Sequence, residues 1–139
     1  IDALSHGDLG KASMIIAQRS NLPAVCGRVC PHERRCEGSC ILGRKGQGIK
    51  IGKLERFIAD MDGELELVAP NVAKSQPGNI AVIGSGPAGL TVAGDLAKMG
   101  FKVTVFDSQP EAGGVLMYGI PEFRLPKQVV RREVKRIKN

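Results

Sequence analysis

The sequence predicts a two-part α + α/β chain: a small helical domain built around cysteines, then a truncated β–α–β unit. Three observations carry that prediction. All four cysteines fall between Cys26 and Cys40, spaced Cys-x3-Cys-x5-Cys-x3-Cys, with Pro31 directly after Cys30. A Gly84-Ser85-Gly86-Pro87-Ala88-Gly89 run lies between an apolar segment and a helical repeat. Between these regions, residues 63–78 carry Pro70, Asn71, Ser75, Pro77 and two glycines, the composition of a linker. The expected boundaries are 1–62, a linker at 63–78, and 79–139.

Taken in order, Ile1 and Leu4 share a helical face that Gly7 stops, which reads as the tail of a longer element. Asp8 is placed to cap a second helix, with Leu9, Ala12, Ile15, Ile16 and Arg19 at a period of 3.6. Asn21-Leu22-Pro23 ends it, since a residue before proline avoids helical backbone. After the cysteines, Gly43 to Gly48 reads as a loop and Ile49 with Ile51 as a short extended piece. Lys53 to Met61 reads as a helix with Leu54, Phe57, Ile58 and Met61 on its inner face. Glu64 to Val68 alternates as a short strand would.

From Asn79 the character changes. Asn79-Ile80-Ala81-Val82-Ile83 is an apolar, partly β-branched run suited to a buried parallel strand. Leu90, Val92, Ala93, Leu96 and Ala97 then give a helix ending at Gly100. Phe101 to Phe106 reads as a second strand with Asp107 at its end. From Pro126 the chain reads as an amphipathic helix with Val130, Val134 and Ile137 inward and a basic outer face.

Composition narrows the function classes. The 139 residues are 42% hydrophobic, enough for a packed core, and the formal net charge is +6. That charge is scattered except near the C-terminal end, and no aromatic residues interleave with it. A nucleic-acid surface that stacks bases is therefore not expected. No run is long enough to span a bilayer, so no membrane partner is expected either. No targeting segment or repeat stands out, and a cytoplasmic location is expected. No Ser/His/Asp or paired-carboxylate constellation supports a hydrolase, and no catalytic residue is assigned.

The cysteine stretch, among Gly, Arg and Glu, is poor material for a hydrophobic core. Thiolates this close are suited to converge on a soft cation or cluster. Its spacing leaves three chemistries open: an iron–sulfur site, structural zinc, or a two-disulfide staple. His6 has no nearby Cys or His and reads as a surface residue at a helix end.

The glycine run is more specific. Gly84 permits a tight turn out of the strand, Gly86 lets backbone N–H groups approach a pyrophosphate, and Gly89 lets helix and strand pack closely. Asp107 stands 18 residues after Gly89, where it can accept hydrogen bonds from an adenosine ribose. Such an acid repels the 2′-phosphate of NADPH. The Gly113-Gly114 pair suits a second close backbone pass at a large cofactor, an arrangement more familiar from flavoproteins. Arg124 is a cation with a route to it.

Together PAVCGRVCPHERRCEGSC, IGKLERFIAD, AVIGSGPAGLTVA and GGVLMYGIPEFRLPK closely resemble the small (beta) subunit of NADPH-dependent glutamate synthase. The same module is similar to the N-terminal part of dihydropyrimidine dehydrogenase and to NADH-dependent ferredoxin:NADP oxidoreductases. The resemblance covers essentially the whole chain. It implies a helical domain binding [4Fe-4S] clusters, followed by a Rossmann-like FAD domain. In that family NADPH reduces FAD, and electrons pass through the clusters to a large FMN-containing subunit or a ferredoxin-type partner.

Carried over residue by residue, the resemblance implies Cys30, Cys36 and Cys40 as cluster ligands, with Glu55 where one branch has Gln. Cys26 is a weaker candidate, matching a cysteine that is not a ligand in the dihydropyrimidine dehydrogenase branch. FAD contacts map to Gly84, Ser85, Gly86, Pro87, Ala88, Gly89, Asp107, Gly113, Gly114, Val115 and Arg124. The family's upstream cysteine-rich segment, its NAD(P)H site and the rest of its FAD domain have no counterpart here. The chain thus reads as an internal fragment that is not expected to turn over alone. Rival readings are a zinc-stabilised interaction module on a non-catalytic Rossmann scaffold, and an NAD-dependent dehydrogenase with an unrelated cysteine motif.

Overall fold

The computed structural model describes residues 1–68 and 72–138; linker residues 69–71 and Asn139 lie outside the described residues. The chain divides into two compact units, residues 1–17 with 23–68, and residues 18–22 with 72–138.

In the first unit, α1 (Asp2–Ser5) leads into α2 (Leu9–Ala17), where the Asp8 carboxylate accepts from the Lys11 N–H at 2.9 Å. That bond satisfies one of the orphan donors of a helix start. Ala3, Ala12 and Ile58 form a small core, with Leu4 and Ile16 packed against it. Ile15 is 47% exposed, and Ser13 is buried instead. The buried stripe of α2 is therefore narrower than its apolar period predicts.

Pro23 does not simply end a helix. It opens a new one, α3 (Pro23–Val29), which carries Cys26. Proline fits a first helical position because its missing N–H would be unpaired there anyway. Two short 3₁₀ turns, His32–Arg34 and Ile41–Arg44, shape the cysteine loop. Then α4 runs Ile51–Leu65, longer at both ends than Lys53–Met61. Ile51 is its first residue, so Ile49 and Ile51 form no extended piece. Glu64 and Leu65 are its last turn, and Glu66 closes it in the left-handed region at φ 49°, so the alternation at Glu64 to Val68 forms no strand.

The buried residues of α4 are Gly52, Ile58, Ala59 and Asp62, while Phe57 is 48% exposed. Helix α4 comes close to α3: a Cβ on Gly27 would lie 2.7 Å from the Arg56 backbone, so α3 needs a glycine there. One amino group of the Arg28 guanidinium donates to both Asp60 oxygens at 2.9 Å, and another donates to the Ala24 carbonyl.

The second unit is a β–α–β arrangement. Strands β1 (Asn79–Ile83) and β2 (Lys102–Phe106) pair in parallel, with Asn79 opposite Lys102 and Ile83 opposite Phe106. Helix α5 (Pro87–Lys98) crosses between them. Helices α6 (Val115–Tyr118) and α7 (Lys127–Lys138) follow, and α7 packs on both α5 and α6. Val82, Leu90, Ala93, Leu116, Met117, Leu125, Val130 and Val134 are buried; Ile137 is only half-buried.

Two further segments belong to this unit. The Asn21 amide donates to Asp95 at 2.6 Å and to the Thr91 carbonyl at 3.1 Å, seated where Gly94 leaves room. Beyond the undescribed residues, Ala73 and Gln76 donate backbone N–H groups to Lys98 and Gly100, satisfying carbonyls at the end of α5. No helix among the described residues is long and apolar enough to cross a membrane.

Candidate functional site

The glycine loop joins β1 to α5, where helical N–H groups point outward and the dipole favours an anion. Gly84 turns out of the strand at φ 95°. A Cβ on Gly89 would overlap the Gly84 carbonyl oxygen, so any side chain there would push helix and strand apart. Beside Gly86 the space is open.

Ser85, 2% exposed, is the hub. Its backbone N–H and its hydroxyl both donate to the same Asp107 oxygen at 2.6 Å, and the other oxygen accepts from the Gln109 N–H at 2.8 Å. The Ser85 hydroxyl, then the Gln109 and Ser85 N–H groups, hold the Asp107 carboxyl down to about 2. Asp107 is therefore anionic at neutral pH, with most of its acceptor capacity engaged within the chain.

The Ser85 carbonyl also accepts from the Gly113 N–H at 2.9 Å, bringing the second glycine pair to the first loop. Gly114 has φ 52°, and a Cβ there would sit 2.8 Å from the Gly86 Cα. The structure thus brings together Ser85, Gly86, Asp107, Gly113 and Gly114. Val115 starts α6 and is 56% exposed. Arg124 is exposed on the turn before α7. Sequence reasoning missed the Ser85–Asp107 bond, although a hydroxyl next to Gly84 and an acid ending the neighbouring strand were both visible.

In the first unit, Cys26, Cys30, Cys36 and Cys40 are free thiols; Cys36 is exposed and the others half-buried. Backbone N–H groups of Ile49 and Leu42, with a smaller contribution from Gly43, hold the Cys40 thiol below its ordinary range. This favours the thiolate, the form that binds metals. Gly48 lies against the Cys40 side chain and lines, with Glu37, Gln47 and Lys50, a cavity of about 410 Å³. Glu55, on α4, meets His32 at 3.3 Å.

The chemistry of this donor set suits an iron–sulfur group: soft thiols free of disulfides, one already biased toward thiolate. Spatially the donors stay apart. Among the described residues, no three His, Cys, Asp or Glu groups are gathered as a metal site. His32 and Glu37 were not singled out from the sequence. Glu37 accepts from the Gly52 N–H at 2.9 Å and so caps the start of α4.

Residues 1–67 match the family model described as dihydropyrimidine dehydrogenase domain II, 4Fe-4S cluster. Residues 82–127 match an NAD(P)-binding Rossmann-like domain. The glutamate synthase [NADPH] small chain of Escherichia coli is 44% identical over 94% of this chain and 28% of its own length. The chain is similar to that small chain almost throughout. The Azospirillum brasilense small chain is 41% identical over 94% of this chain and 28% of its own length. The NAD-dependent dihydropyrimidine dehydrogenase subunit PreT of Salmonella typhimurium is 39% identical over 91% of this chain and 30% of its own length. The resemblance read from the motifs therefore holds. The chain spans under a third of the length of these relatives.

Proposed function

We propose that this chain is a segment of an NAD(P)H-dependent oxidoreductase of the glutamate synthase small-subunit type, passing electrons through FAD and [4Fe-4S] clusters to a partner subunit. One observation carries the reading: a 4Fe-4S family match over the free-thiol loop is followed in sequence by a β–α–β cradle whose two glycine passes meet at Ser85. When bound, FAD supplies the conversion of a two-electron hydride into single electrons, and the clusters supply their path.

The chain's own residues bind and position. The N–H groups at the start of α5 would hold the pyrophosphate of a bound dinucleotide. Gly86 and Gly114 keep that approach free of side chains. Asp107, held anionic, offers its remaining acceptor capacity to a ribose hydroxyl and repels a 2′-phosphate. Cys30, Cys36 and Cys40, with Glu55 and more weakly Cys26, would supply part of a cluster ligand set. The bias of Cys40 toward thiolate favours loading.

A second reading rests on the NAD(P)-binding description of the model matched by residues 82–127. On it the cradle takes NAD(H), and the dinucleotide that copurifies distinguishes the two. The main reading is tested by Cys30→Ala and Cys36→Ala in the full-length protein. Each should remove iron and cluster-dependent electron transfer while flavin content is kept. Unchanged iron and turnover overturns it.

A further inference from the structure

The second glycine pass is held from behind by α7. Gly113 lies against that helix, where a Cβ would come within 2.9 Å of the Val130 side chain. Arg131 donates to the Glu111 carboxylate at 2.8 Å, and the Glu111 N–H donates to the Tyr118 hydroxyl at 3.0 Å. Lys127, the first residue of α7, is half-buried. Its Nζ donates to the Leu116 carbonyl at 3.0 Å and to the Ile120 carbonyl. Its backbone N–H donates to the Glu122 carboxylate at 3.1 Å.

The Leu116 carbonyl needs that donor. In a continuing α-helix it would accept from the Ile120 N–H. That N–H turns back instead to the Val115 carbonyl at 3.0 Å. Helix α6 has only 4 residues, too few to hold its own end. An ammonium group at a helix C-terminus satisfies such carbonyls and suits the local dipole. At its other end α6 starts from Gly114, whose missing Cβ leaves room for the Gly86 Cα, while the Gly113 N–H donates to the Ser85 carbonyl. Lys127 therefore fixes the far end of a segment whose near end completes the cradle. Its bonds to Ile120 and Glu122 also close the turn that bears Arg124.

We propose that Lys127 is a positioning residue for the bound dinucleotide: it holds α6 and the turn after it, and so sets the path of Gly113 and Gly114 past Gly86. The open space beside Gly86 fits a group that passes close to the backbone. The inference rests on the flavin reading above and adds to it a residue that acts through backbone carbonyls.

The test uses the full-length protein, stripped of flavin and titrated with FAD. It is read by the dissociation constant, the visible circular dichroism of the bound flavin, and hydrogen exchange. Lys127→Met keeps an apolar stem and removes the donors. It should weaken FAD binding about tenfold, alter the circular dichroism, and speed exchange at Leu116 to Ile120, while β1, α5 and β2 keep their protection. Lys127→Arg, which retains a cation with several donors, should restore all three.

The inference is overturned if Lys127→Met binds FAD as the wild type does, or if protection falls equally throughout the β–α–β unit, which marks a general loss of fold. Should Lys127→Met fail to fold, Lys127→Gln, too short to span both carbonyls, decides by the same criteria. Wild-type full-length protein that binds no FAD would overturn the flavin reading itself and this inference with it. FAD-binding protein indifferent to Lys127 would overturn only the inference.

Discussion

The two units hold their candidate sites in different ways. In the β–α–β unit the site is closed by the chain's own bonds. Ser85 joins Asp107, Gly113 and the strand-to-helix turn within one hydrogen-bonded set. In the cysteine unit the scaffold is tied firmly, through Arg28–Asp60 and Glu37–Gly52, but the donors it carries are not gathered. A dinucleotide needs a preformed shape, because backbone N–H groups must already point at the phosphates. A cluster supplies its own cohesion, and its ligands need only come within reach.

The largest expected effect follows from that contrast. Metal binding can contribute on the order of 10 kcal/mol to the folding of a small domain with a modest core. Stripping iron from loaded protein should therefore accelerate hydrogen exchange strongly in α3 and α4, while amides of β1, α5 and β2 keep their protection. Equal loss in both units would break the distinction.

Next comes the scaffold. Asp60→Ala leaves the Arg28 guanidinium, with its side chain 8% exposed, without its carboxylate, and should cost about 3 kcal/mol in urea unfolding. The exposed pair Arg131–Glu111 should matter far less, since water and salt screen it. In the other unit, Gly89→Val forces a side chain onto the Gly84 carbonyl. Overpacking of this kind costs about 1–3 kcal/mol, and here it should also remove bound dinucleotide. Retained flavin in that variant would separate the glycine loop from cofactor binding.

These differences also explain what was legible in the sequence. The β–α–β unit was readable because each glycine has a local steric reason and the strands are contiguous apolar runs. The start of β2 differs by one residue. The cysteine unit was harder. Pro23 looked like a terminator but serves as the first residue of α3. Ile49 and Ile51 looked extended because they are β-branched, yet α4 begins at Ile51, with its next N–H capped by Glu37 from the distant cysteine loop. Phe57 reads as core by its period, yet it is half exposed, and the buried face of α4 is made by Gly52, Ile58, Ala59 and Asp62. His32 carried no local signal at all, since its partner lies 23 residues away.

The smallest expected effect is on acid stability. Asp107 is held down to about 2, from an ordinary value of 3.8. A depressed carboxyl contributes stability that is complete above its unfolded value and is lost as pH falls through its folded one. The Asp107 contribution should therefore be constant above about pH 5 and decline between about pH 4 and pH 2. Asp107→Asn should flatten that part of the acid limb in urea midpoints measured against pH. An unchanged limb would mean that the Ser85–Asp107 bonds do not persist in solution.

The most direct test of the central claim is the visible spectrum of anaerobically purified full-length protein, taken with iron, zinc and dinucleotide analysis of the same sample. The electron-transfer account predicts a flavin double band over a broad background that dithionite bleaches, with iron present and zinc absent. Stoichiometric zinc, no iron and no flavin would contradict it.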